Sequence, residues 1–175
     1  MKSCEGMADR GRRFFLSRGA FVAAAGAAAA ATGGAPAQAA VGAALVNYPS
    51  QRLANVKDLK VNTPVKVAYP DKDSPGVVIK LGKPVPGGAG PDGDVVAFST
   101  LCPHKGFPLA YNGEDRTFNC PGHYSRFDVE QGGLEVFGHA TQNLAQFQLR
   151  IDAKGDIFAE GVDELIYGRL SNVLA

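Results

Sequence analysis

Cysteine and histidine are scarce in this chain of 175 residues, with three of each. An excess of one charge is lacking too. The 18 Lys and Arg stand against 17 Asp and Glu, which excludes the electrostatic footprint of a nucleic-acid binder. There is no internal repeat. Long hydrophobic runs are missing: "FVAAAGAAAAA" (21–31) stops at "TGG" (32–34), and a membrane helix needs about 20 predominantly apolar residues. Nothing arranges a nucleophile, an oxyanion hole or a general base, so no catalytic residue is assigned. What is plentiful is glycine, 22 residues, and proline, 11 residues, without a collagen-like period. That composition predicts short strands joined by turns.

Charge separates the first 40 residues from the rest. They hold Lys2, Arg10, Arg12, Arg13 and Arg18 against Glu5 and Asp9, while the whole chain is only +1. A basic stretch ending in "RRFFL" (12–16), the apolar run, and the small residues of "APAQAA" (35–40) have the order of a cleaved export signal. Cleavage is expected after Ala39, a retained anchor being the alternative. The twin arginines resemble the twin-arginine signal, which exports folded proteins. The resemblance implies a periplasmic protein that receives a cofactor before export, with no stable membrane span.

Residues 41–175 read as one all-β domain. "PVKVAYP" (64–70) alternates; "GVVIKLG" (76–82) and "DVVAFST" (94–100) are short apolar runs; "RTFNC" (116–120), "SRFDV" (125–129) and "LEVFG" (134–138) are further strand candidates. "AQFQLRID" (145–152) alternates most clearly and pairs through "KGD" (154–156) with "IFAEG" (157–161) as a hairpin. Residues 82–94, rich in Gly and Pro, read as a surface loop. The tail from Val162 fits a short helix or an extended arm. The expected architecture is an antiparallel sandwich or barrel with a loop subdomain at one end.

That subdomain is defined by two stretches, "CPHKGF" (102–107) and "CPGHYS" (120–125). Outside the leader the only cysteines are Cys102 and Cys120, and two of the three histidines sit beside them as His104 and His123. Two cysteines in an exported chain can form one disulfide. Thiol plus imidazole, twice, is instead a four-ligand metal set. Zinc accepts Cys₂His₂, so a structural zinc module stays open. A [2Fe–2S] cluster with both thiolates on one iron and both imidazoles on the other fits the mixed pairs better.

The two stretches resemble the boxes of Rieske proteins, C-x-H-x-G and C-P-x-H-x-S. The resemblance implies that Cys102 and Cys120 bind the inner iron and His104 and His123 the outer one, with no disulfide. It implies a Ser125 hydroxyl hydrogen-bonded to the cluster. It also implies main-chain N–H donors from Lys105, Gly106 and Phe107 and from Gly122, His123 and Tyr124. Phe107 and Gly122 stand where Rieske proteins of cytochrome bc complexes have a disulfide. Phe127 stands where those proteins have a tyrosine hydroxyl, and its loss implies a lower potential. His139 is left over and reads as an ordinary loop residue.

A Rieske oxygenase needs further histidines for a mononuclear iron, and only His139 remains. "CPGHYSRFD" (120–128), "ATQNLAQ" (140–146) and "GVDELIYGR" (161–169) resemble the small subunit of arsenite oxidase. That resemblance implies an electron-transfer subunit with no substrate chemistry of its own. Its partners would be a large subunit carrying molybdenum–pterin and a [3Fe–4S] cluster, and a periplasmic cytochrome c or copper protein. "DELIYGR" is either a docking arm or a segment that caps its own sheet. A Rieske subunit of a bc-type quinol oxidase is the alternative.

Overall fold

Apolar patterning places the strands much as expected. The computed structural model describes residues 47–173; the expected leader and its cleavage point lie outside them. The strands are β1 (Gln51–Asn55), β2 (Val65–Ala68), β3 (Pro75–Lys80), β4 (Val95–Ser99), β5 (Ala110–Asn112), β6 (Thr117–Asn119), β7 (Arg126–Asp128), β8 (Leu134–Phe137), β9 (Phe147–Ile151) and β10 (Asp156–Val162). They form three antiparallel sheets ordered β1-β10-β9, β2-β3-β4 and β5-β6-β7-β8. Among the described residues the only helical turns are two short 3₁₀ turns, Val56–Asp58 and Val129–Gln131. None is long or apolar enough to cross a membrane.

The sheet β2-β3-β4 lies between two cores, which explains its sequence. Val77, Ile79, Val96 and Phe98 enter one core; Val78, Val95 and Ala97 enter the other. Alternate residues of a strand face opposite ways. A strand buried on both faces therefore reads as a continuous apolar run. β9 is buried on one face only: Phe147 is buried while Gln148 and Arg150 are exposed. In the turn to β10, Asp152 Oδ1 accepts the N–H groups of Lys154 and Asp156, both at 2.9 Å.

The four-stranded sheet β5–β8 carries the site. The stretch 102–107 precedes β5, and 120–125 joins β6 to β7. The first core lies beneath them and includes both thiols, with Phe98, Phe118 and Phe127.

The C-terminal tail is neither a helix nor a free arm. Ile166 is buried, and its N–H donates to Asn172 Oδ1 at 2.8 Å. Asn172 Nδ2 donates to Glu164 O at 2.8 Å. Arg169 grips Asp71 with two bonds of 2.6 and 2.9 Å, and this pairing holds the Asp71 carboxyl below the usual carboxylate range. The segment thus caps its own domain, with Leu165 and Tyr167 half out in solvent.

Candidate metal centre

The two Cys/His stretches are one turn built twice. In the first, Cys102 N donates to Phe107 O (2.9 Å) and Gly106 N to Cys102 O (2.8 Å). In the second, Cys120 N donates to Ser125 O (2.8 Å) and Tyr124 N to Cys120 O (3.1 Å). The residue four after each cysteine is left-handed: Gly106 at φ 69° and Tyr124 at φ 63°. The expected sulfur donors Gly106 and Tyr124 therefore spend their N–H groups on closing their own turns. The N–H groups of His104 and Lys105 favour the ionised form of the Cys102 sulfur.

The turns set the thiols at the base and the imidazoles at the rim. Cys102 and Cys120 are buried free thiols. The His104 and His123 rings lie 4.7 Å apart at 71°. Burial, and then Cys120 beside it, push the Cys102 thiol up, while the two N–H groups pull it back. Such a thiol ionises readily only against a cation. Burial, and then His123 beside it, hold His104 below the usual imidazole range. Neutral imidazole is the form a metal takes as ligand. His104 Nδ1 is buried without any hydrogen-bond partner, which is unfavourable unless another atom bonds it.

The donor set therefore fits a centre held by two sulfurs and two nitrogens. It falls into two pairs rather than one tetrahedron. Each turn supplies one thiol to the base and one imidazole to the rim. That division suits two irons better than one zinc.

The surroundings are specific. Ser125 is fully buried, and its Oγ accepts His139 N at 2.9 Å and Ala140 N at 3.0 Å. A hydroxyl has two acceptor sites and one donor, so its proton is left free for a further acceptor. Phe127 is fully buried in the core beneath the thiols. Lys105 and Tyr124 are exposed at the rim. Gly122 answers to Phe107: a Cβ there would lie 2.9 Å from the Phe107 ring. Ring against glycine occupies the place expected for an absent disulfide.

Two neighbours were not foreseen. Tyr167 from the tail covers Gly106, where a Cβ would stand 2.5 Å from its ring. His139, expected to be an ordinary loop residue, lies with its ring 6.0 Å from His104 and 6.5 Å from His123. The scarcity of histidine was the available signal, since all three rings meet here.

The Rieske [2Fe-2S] domain pattern matches residues 50–148. The chain is 38% identical to the iodate reductase subunit IdrB of Denitromonas iodatirespirans, over 94% of this chain and 91% of that one. It is also 38% identical to the same subunit of Pseudomonas sp. (strain SCT), over 90% of this chain and 81% of that one. The fold resembles the soluble domain of the Rieske protein II from Sulfolobus acidocaldarius. The TM-score is 0.64 at 24% identity, over 72% of this chain and 84% of that one.

Proposed function

The chain belongs to the Rieske [2Fe–2S] domain family, and on that premise we propose that it is the electron-transfer subunit of a molybdenum oxidoreductase. Its cofactor is a Rieske-type [2Fe–2S] cluster. Cys102 and Cys120 would hold the inner iron, and His104 and His123 the outer. The carrying observation is the paired arrangement, with two buried thiols below, two imidazoles above, and His104 Nδ1 buried and unpartnered. When bound, such a centre exchanges one electron at a time, at a potential raised by imidazole in place of thiolate. Ser125 offers its free proton to that centre and favours the reduced state. Phe98, Phe118 and Phe127 keep water from the thiols, and His123 stands in solvent where a partner can approach.

The molybdenum and a [3Fe–4S] cluster reside on a large subunit. In the reading that "GVDELIYGR" (161–169) and "CPGHYSRFD" (120–128) support, that subunit oxidises arsenite. Electrons then pass through this chain to a periplasmic cytochrome c or copper protein. A second reading rests on the similarity to iodate reductase subunits along nearly the whole chain. There iodate is reduced and the electrons run the other way. Both readings use a small inorganic oxo compound and the same relay, and in both the leader directs folded export.

Purification of the tagged full-length chain from its native host tests the proposal. A red-brown complex containing molybdenum is expected, with an EPR signal of average g below the free-electron value when reduced. Arsenite-dependent reduction of an external acceptor selects the first reading, and iodate-dependent oxidation of the reduced cluster the second. A colourless zinc protein, or co-purification with a membrane cytochrome b, overturns the proposal.

A further inference from the structure

The two Cys/His turns have no covalent tie. Cys102 and Cys120 are both free thiols, and the remaining cysteine, Cys4, lies outside the described residues. One direct contact joins the turns, the Phe107 ring against Gly122. A second route runs through the C-terminal segment. The Tyr167 ring lies on Gly106, where a Cβ would meet ring carbons at 2.5 and 2.6 Å. Two residues earlier, Leu165 O accepts Gln142 Nε2 at 2.9 Å. Gln142 belongs to the loop 138–144, whose His139 and Ala140 N–H groups end on Ser125 Oγ. The route therefore starts on the first turn and finishes on the second.

Between those contacts the segment is fixed. Ile166 is buried in the second core, and its N–H donates to Asn172 Oδ1 at 2.8 Å. Asn172 Nδ2 donates in turn to Glu164 O (2.8 Å) and Tyr48 Oη (3.1 Å). Upstream, Asp163 Oδ1 accepts Gln146 N at 2.7 Å, and Asp163 N donates to Gln146 O at 3.1 Å. Downstream, Arg169 grips Asp71. Leu165 and Tyr167 flank Ile166 but keep 45% and 41% of their surface in solvent. They add little to the core; what they touch is the loop and the first turn.

We propose that segment 163–172 is a noncovalent brace between the two cluster turns, with Tyr167 and Gln142 as its positioning residues. Tyr167 holds the first turn at Gly106, the residue whose N–H closes that turn on Cys102 O. The loop 138–144 holds the second turn at Ser125, and the anchored segment sets the spacing between them. Ligands keep their geometry when packed neighbours lock them, and hydrogen bonds to the sulfurs help set an iron–sulfur potential. Release of the first turn weakens the N–H bonds around the Cys102 sulfur and lowers the potential. This rests on the [2Fe–2S] reading of the site and not on which enzyme the chain serves.

The test uses the full-length protein with its cluster. Midpoint potentials come from potentiometric titration, and amide hydrogen exchange is followed in the peptide spanning 102–107. Tyr167→Ala should lower the potential and speed that exchange. Tyr167→Phe should restore both, because ring carbons and not the hydroxyl meet Gly106. Gln142→Ala should lower the potential by less, since it removes one exposed hydrogen bond. The two links act in series, so the double variant should fall no further than Tyr167→Ala alone. Additive falls would show two independent contacts and overturn the brace. Leu170→Ala, fully exposed in the same segment, should leave the potential unchanged; a fall like that of Tyr167→Ala would mean general loosening and would also overturn it. So would an unchanged or raised potential in Tyr167→Ala. If Tyr167→Ala binds no cluster, Gln142→Ala decides alone: a fall supports the brace and no fall overturns it. A wild-type protein that never acquires colour defeats the [2Fe–2S] reading itself, before any variant is compared.

Discussion

Residues 102–107 and 120–125 follow the same backbone path, yet neighbours from different parts of the chain lock them. The first turn takes glycine at its left-handed position because Tyr167 lies on it. The second has Tyr124 in the same conformation, 73% exposed and covering nothing. It is held from beneath instead, where Ser125 receives two main-chain N–H groups. Hydrogen bonds across each turn set the ligand geometry. Covering residues set how much water and how much partner each histidine meets.

The largest expected effect treats the turns as equals. Cys102→Ser and Cys120→Ser should each abolish the cluster, read as complete loss of visible absorption; survival in either would break the equivalence. Next comes the sharpest contrast. Gly106→Ala sets a Cβ into the Tyr167 ring at a positive φ and should cost about 2–3 kcal/mol. Tyr124→Gly relieves the same backbone strain with no contact to lose, and should be neutral or stabilising by up to about 1 kcal/mol. Urea midpoints measured side by side decide it, and equal losses would sink the account. Ser125→Ala should cost about 1–2 kcal/mol by orphaning His139 N, since Ala140 N keeps Glu135 Oε1 at 3.0 Å. It should also lower the midpoint potential, and potentiometry showing a rise would refute the donor role.

Gly122→Ala should destabilise through Phe107, and Phe107→Ala should rescue it, with a coupling of about 1 kcal/mol in the double-mutant cycle. Additivity would show that the ring does not clamp the second turn. Smallest is Arg169→Met, which loosens the segment bearing Tyr167 over the first turn. Asp71 is 40% exposed, so solvent screening limits the pair to about 1 kcal/mol or less. The Asp71 pKa is depressed in the folded state. Wild type should therefore exceed the variant fully above about pH 4, where an unfolded aspartate is ionised. The difference should vanish as pH falls through the folded value.

Most strands were legible because one- or two-sided burial writes itself into alternation or continuous apolar runs. β1 and β5 were not. "QRLAN" has little alternation and pairs with β10 through an irregular register at Arg52 and Ala54, a contact about a hundred residues away in sequence. "AYN" is three residues long. The four ligand candidates were legible because each pair occupies one short turn. The facing of Phe107 and Gly122 was legible too, through the missing disulfide, but the tail's place over Gly106 and the third histidine were not. Each depends on which distant side chain fills a gap, and local spacing does not carry that.

The two thiols are members of the same apolar core as Phe98, Phe118 and Phe127. A ligand lodged there cannot be released by lifting the rim alone. Iron held by these thiols would leave only when the core opens, so its retention becomes a matter of kinetics. Its loss to a chelator should keep time with opening of the whole core, and the redox group should last as long as the fold.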